Sequence, residues 1–211
     1  NIVLDNASNA FSNSVTMKAG TAGGLTFGNI TFVDSAAVKF HSSAGTNGDL
    51  YINAATDGAV GGALNVTAKA GDITQGHALT VTGTTTLETS ADGAAINLNN
   101  ASNKFEGALT ITTKDSDGSD SDATITAGDG AKLIFAASSI EGNLIVTSSH
   151  ATGIIQLDST AGVLTVEGTS SFTTSADGAD IDLNSSSNAF TGAVSLSTEG
   201  SGGYAELSNG S

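Results

Sequence analysis

Apolar residues in this chain recur as short i, i+2 pairs. They are Ile2/Leu4, Leu25/Phe27, Ile30/Phe32, Leu50/Ile52, Leu64/Val66, Leu79/Val81, Ile96/Leu98, Leu109/Ile111, Leu133/Phe135, Leu144/Val146, Leu164/Val166, Ile181/Leu183 and Val194/Leu196. A period of two is the strand period and sets both members of a pair on one face. The residues between them are mostly Thr, Asn, Val or Ser, and no helical period runs anywhere. Each pair is followed within a few residues by Gly, Asn, Asp or Ser. Ala91-Asp92-Gly93, Ala176-Asp177-Gly178 and Thr46-Asn47-Gly48 are turn signals, because Gly and Asn accept positive φ. The pattern predicts many very short strands joined by sharp corners.

The pairs belong to a longer repeat. The motif INLNNASNKF at 96–105 recurs as IVLDNASNAF at 2–11 and IDLNSSSNAF at 181–190. Residues 79–113 align without gaps to 164–198, and the first copy extends over about 2–17. Repeats at such spacing build a quasi-one-dimensional solenoid, in which each unit rests on its neighbours. Strands with two inward residues suit a coil of roughly 20–30 residues per turn, each strand stacked about 4.8 Å from its counterpart. The strict six-residue period of left-handed hexapeptide helices is missing. The expected fold is therefore all-β, a right-handed parallel β-helix with Gly, Asn and Asp corners. Residues 1–211 read as one solenoid segment of a longer repetitive chain. Asn9, Asn103 and Asn188 stand two residues before Phe11, Phe105 and Phe190. Each Asn is expected to bond backbone at a corner that the Phe plugs.

Composition narrows the function. The chain has 27 Gly and neither Pro, Cys nor Trp, with too few aromatics for a large spherical core. Its formal net charge is −15, all its cations are Lys, and none follows Lys132. Nucleic acid and anionic membranes demand basic surface, so neither is an expected partner. No apolar run is long enough for a membrane helix, and membrane insertion is not expected.

The strongest local signal for chemistry is Asp115-Ser-Asp117-Gly118-Ser-Asp120-Ser-Asp122. Carboxylates so close repel unless they are solvated or neutralised by a cation. Ca²⁺ takes six to eight hard oxygen ligands, which alternate Asp residues around a Gly turn can supply. The spacing departs from an EF-hand, with Thr126 where its last Glu belongs. Two readings stand, a solvated loop and a Ca²⁺ site on Asp115, Asp117, Asp120 and Asp122; no cofactor is required by anything else in the chain. Asp180 and Asp182 form a carboxylate pair of the type that runs glycoside chemistry. The second repeat has Ala95 and Asn97 there, which favours a solvent-facing strand edge. His41, His77 and His150 stand apart from any nucleophile pattern. Thr80/Thr82, Thr110/Thr112 and Thr124/Thr126 are Thr-x-Thr steps of the sort that can bind ice, but the sequence-equivalent positions break the ladder. Exposed β-branched strand residues account for them better.

The stretch ITQGHALTVTGTTTLETSADGAAINLNNASNKFEGALTITT, residues 73–113, resembles the repeats of filamentous-haemagglutinin-type exoproteins of the two-partner secretion pathway. The resemblance is strongest over 64–113 and 144–198. It implies a right-handed β-helical rod that is exported to the bacterial cell surface and acts in adhesion, biofilm cohesion or filament formation. The expected function is thus a structural and adhesive stalk without catalysis. Its expected partners are neighbouring repeats, like chains or surface glycans. A carbohydrate-binding or carbohydrate-cleaving β-helix is the alternative.

Overall fold

A computed structural model describes residues 1–11, 15–17, 28–40, 49–52, 59–60, 62–118, 120–157 and 161–210. The chain is a parallel β-helix of about seven turns. The described residues contain strands, turns and bends and no helix. Every strand pairing among the described residues is parallel, and from Leu64 onward the pairings join one coil to the next. The predicted pair Leu25/Phe27, the turn at 46–48 and His41 lie outside the described residues.

Three sheets run along the axis. A nine-stranded sheet stacks Ile73–Gln75, Ile96–Leu98, Ala123–Ala127, Leu144–Ser148, Ser170–Asp177 and Val194–Glu199 in its main run. A twelve-stranded sheet carries Ile30–Asp34, Leu64–Ala68, Thr85–Thr89 and Leu109–Thr112. A three-stranded sheet, ending at Lys104–Phe105, closes the coils of the first half. The arrangement then changes. Leu109–Thr112 is followed on the next coil by two strands, Leu133–Phe135 against its start and Ser138–Ile140 against its end. From there the twelve-stranded sheet continues as two columns. One holds Gly153–Gln156, Asp180–Leu183 and Ala205–Leu207, and the other holds Leu164–Val166 and Ala189–Phe190.

This split changes where the repeat falls. Ile96–Leu98 lies in the nine-stranded sheet, whereas Ile2–Leu4 and Asp180–Leu183, which contain the same motif, lie in the twelve-stranded one. Neighbouring copies of the repeat are therefore turned by one face about the axis.

The core consists of aliphatic rows. Phe32, Val66, Leu87 and Ile111 are in register on successive coils of one sheet. Leu98, Ile125, Val146, Phe172 and Leu196 are in register on another. All but Leu196 are buried, and Leu87, Ile111, Ile125, Val146 and Phe172 show no exposure. Burying each contributes roughly 1.5–3 kcal/mol. The strand Leu64–Ala68 alternates buried and partly buried positions as the i, i+2 pattern predicts.

Glycines set how closely the corners stack. Gly62, Gly83 and Gly107 form one column, and Gly142, Gly168 and Gly192 form its counterpart in the second half. A Cβ on Gly83 would meet the Gly62–Ala63 backbone at 2.6 to 2.7 Å, and backbone cannot step aside. Gly118 has nothing within 4 Å and only a left-handed φ of 80°. Gly83→Ala should therefore lower stability by about 3 kcal/mol through overpacking. Gly118→Ala should lower it by only about 1 kcal/mol, from its backbone conformation. Urea midpoints of the two variants test this ordering.

Candidate functional site

Polar side chains of this solenoid spend their hydrogen bonds chiefly on its own backbone. Asp or Asn oxygens at the corners accept an N–H from the following coil. Asn1 accepts from Asn29 (2.9 Å), Asn29 from Ala63 (2.9 Å), Asp72 from Ala95 (2.8 Å), Asp122 from Asn143 (2.7 Å) and Asn143 from Thr169 (2.8 Å). Asp92, Asp177 and Asp180 do the same for Ser116, Ser201 and Tyr204. A short side chain with a terminal oxygen is what the geometry requires, since it must reach one strand spacing along the axis. Ser116 also donates its hydroxyl to Asp92, and this bond is the main reason the Asp92 carboxyl is held below the usual aspartate range.

The recurrent asparagines close the opposite corner. Asn103 and Asn188 are fully buried. Asn103 Oδ1 accepts the Leu79 N–H (2.8 Å), and its amide nitrogen donates to Leu98 O (3.2 Å) and Thr126 O (3.0 Å). Asn188 repeats the set with Leu164, Leu183 and Ser208. The amide of Asn9 reaches Leu4 O and Val33 O in the same way. Phe105 and Phe190 are buried beside these corners, and Phe11 stacks on Phe32 with ring centres 5.2 Å apart. The sequence reading missed the glutamine partners. Gln75 and Asn103 exchange two amide bonds of 2.8 Å, and Gln156 does likewise with Asn188 at 2.7 and 3.1 Å. The signal was present: Ile73/Gln75 and Ile154/Gln156 each place a polar residue where the period-two pattern calls for an apolar one.

The acidic loop is built on Asp115. Its Oδ1 accepts the N–H groups of Asp117 (3.0 Å) and Gly118 (2.7 Å), and its Oδ2 accepts that of Asp120 (3.0 Å). The Asp115 N–H donates to Glu141 of the next coil. Asp120 takes a left-handed φ of 57°, which Asp tolerates in a tight turn. Asp122 leaves the loop to serve as a corner acceptor for Asn143. Asp117 and Asp120 are exposed. Among the described residues, no group of three or more His, Cys, Asp or Glu side chains is placed to hold a metal ion. Asp115, Asp117, Asp120 and Asp122 are thus not gathered into a Ca²⁺ ligand set. Asp115 turns the loop and Asp122 joins two coils.

Asp180 and Asp182 lie partly buried on the outer side of their strand. Asp180 caps Tyr204, and Asp182 faces Ile155 on one side and Glu206 on the other. His150 Nδ1 accepts the Thr152 N–H in a turn. No catalytic pairing of a histidine with a carboxylate forms among these groups. The outer side of the nine-stranded sheet holds a different feature. Thr124/Thr126, Ile145/Thr147, Ser171/Thr173 and Ser195/Ser197 are in register on four successive coils. Ile145 interrupts the hydroxyls of this column, so the structure keeps the Thr-x-Thr ladder irregular, and the repeat-equivalent strands lie on different faces.

A family described as repeats of unknown function (DUF5649) matches residues 16–112 and 120–197. Comparison with curated proteins and with solved structures returns no match.

Two outcomes follow from this bonding. Asn103→Ala should cost about 2–4 kcal/mol, because it strands two carbonyls, an N–H and a glutamine amide. Asn100→Ala, removing a single acceptor for the Ser102 N–H, should cost about 1 kcal/mol or less. Denaturant melts of both variants measure the difference. Calorimetric titration with Ca²⁺ should show no saturable heat. A stoichiometric isotherm that disappears in Asp117→Asn would return the loop to metal binding.

Proposed function

The chain belongs to this repeat family of unknown function, and from that premise we propose that it is a structural and adhesive stalk segment of a secreted filamentous protein on a bacterial cell surface. The observation that carries the reading is the single continuous core. Aliphatic rows run coil after coil, so adding repeats lengthens the molecule without enclosing a pocket. Its polar groups follow suit, since corner Asp and Asn residues tie coil to coil. Export and surface display rest on the resemblance of residues 73–113 to filamentous-haemagglutinin-type repeats. Adhesion to like chains or surface glycans draws support from the in-register strip of Ser and Thr, with the exposed Ile145, on the nine-stranded sheet, uncharged at these positions on a chain of net charge −15. A role without catalysis fits the use of Asp180 as a corner acceptor.

Rotary-shadowed micrographs and solution scattering test the reading on chains holding increasing numbers of these repeats. Each added coil should extend a rod of constant cross-section by about 4.8 Å. A particle that thickens instead, or turnover of a polysaccharide by this chain, would count against a stalk and favour a carbohydrate-active β-helix.

A further inference from the structure

We propose that Asp182 and Glu206 form a proton-operated clasp between two consecutive coils, loose when both carboxyls are charged and tight when Asp182 holds a proton. The inference is independent of any adhesive role.

The geometry begins with register. Asp182 and Glu206 are direct partners on adjacent parallel strands, Asp180–Leu183 and Ala205–Leu207. Side chains so placed are one strand spacing apart, about 4.8 Å, where like charges repel. Asp182 Oδ1 is buried and has no hydrogen-bond partner. A buried carboxylate oxygen without a donor is costly when charged, and the cost falls when the group is neutral. A protonated Asp182 gains an O–H that can donate to the adjacent Glu206 carboxylate. Glu206 also accepts the Tyr204 hydroxyl at 2.5 Å, which fixes it on this face and pushes the Tyr204 phenol above its ordinary range.

Among the described residues nothing cationic relieves the pair. Gly153–Gln156, the strand on the other side of Asp182, has no titratable side chain. Asp180 lies two residues away on the same strand. The strands Ser170–Asp177 and Val194–Glu199 of the neighbouring sheet bring only Asp177 and Glu199. No Lys or Arg follows Lys132, and the nearest basic group in sequence is His150, whose Nδ1 is engaged by the Thr152 N–H. In the first half the acids do have cations, as in Lys69–Glu88, Lys104–Glu106 and Lys114–Asp92. Burial first, then Glu206 and Asp180, raises the Asp182 carboxyl above the ordinary aspartate range.

The sign follows from that direction. A carboxyl raised in the folded state binds its proton more tightly folded than unfolded. Its charged form therefore costs stability at neutral pH. The cost is relieved as pH falls through the folded value, and relief is complete below the unfolded value. Acidification should tighten these coils.

Native-state hydrogen exchange on this chain tests the clasp. Protection of the amides at 181–183 and 205–207, corrected for intrinsic rates, should rise several-fold between about pH 7 and about pH 4.5. Amides at 85–89 and 109–112 serve as the internal reference. Asp182→Asn, nearly isosteric, should show high protection at both pH values and no rise relative to that reference. Glu206→Gln should weaken the rise. In parallel, the Asp182 carboxyl carbon should titrate above the ordinary aspartate range. The proposal is overturned if wild-type protection is flat or falls on acidification relative to the reference. It is equally overturned if Asp182→Asn keeps the full rise, which would point to His150, or if Asp182 titrates at or below ordinary aspartate.

Discussion

The interaction on which this solenoid depends is the hydrogen bond that carries a corner from one coil to the next. Between strands the backbone turns, and the coil-to-coil backbone bonds become sparse there, with Gly83 to Gly62 and Gly168 to Gly142 among those that remain. A buried or half-buried N–H left at such a corner costs as much as a lost hydrogen bond. The chain meets the requirement with the buried amides of Asn103 and Asn188, which accept the Leu79 and Leu164 N–H groups, and Asp and Asn oxygens from Asn1 to Asp180 bridge the exposed corners in the same way. Glycine columns then let the corners approach closely enough for those bonds to form. Part of the chain's acidity follows from this arrangement, since Asp at a corner, as at Asp72, Asp92, Asp122, Asp177 and Asp180, does what Asn does and adds charge.

The strands, their inward pairs and many of their corners were legible in the sequence, because each depends on local chemistry. Ile96/Leu98 and Leu109/Ile111 read as inward pairs and are buried as such. Ala91-Asp92-Gly93 and Ala176-Asp177-Gly178 read as turns, and Gly93 and Gly178 have φ of 72° and 70°. The buried role of Asn103 and Asn188 was legible from their recurrence. What could not be read was any relation between coils. Gln75 meets Asn103 across 28 residues and Gln156 meets Asn188 across 32, and only the coil length brings them together.

The repeat itself misled on faces. Residues 79–113 and 164–198 align perfectly in length, so equivalent positions were expected to share a surface. The twelve-stranded sheet divides after Leu109–Thr112, and the later copy is turned by one face. Thr110 and Thr112 therefore lie on a different sheet from their repeat equivalents Ser195 and Ser197, which stack instead in the column of Thr124, Ile145 and Ser171. The acidic loop left two readings open in the sequence. Spacing alone does not reveal that Asp115 points its oxygens into its own turn and that Asp122 faces the next coil.

Charge completes the physical picture. Each half of the rod uses the same corner chemistry, but only the first half has lysines near its acids. Surface ion pairs such as Lys69–Glu88 contribute little to stability. Their larger effect is to keep carboxylates from facing one another uncompensated. Where lysines are absent, stacking in register places acid on acid, as at Asp182 and Glu206. A parallel solenoid amplifies any such choice, because an outward side chain always meets its counterpart one strand spacing away. The outer columns of this protein, neutral from Thr124 and Thr126 to Ser195 and Ser197 on the nine-stranded sheet and acidic beside Tyr204, are thus where its surface chemistry is concentrated, while its core and corners serve length.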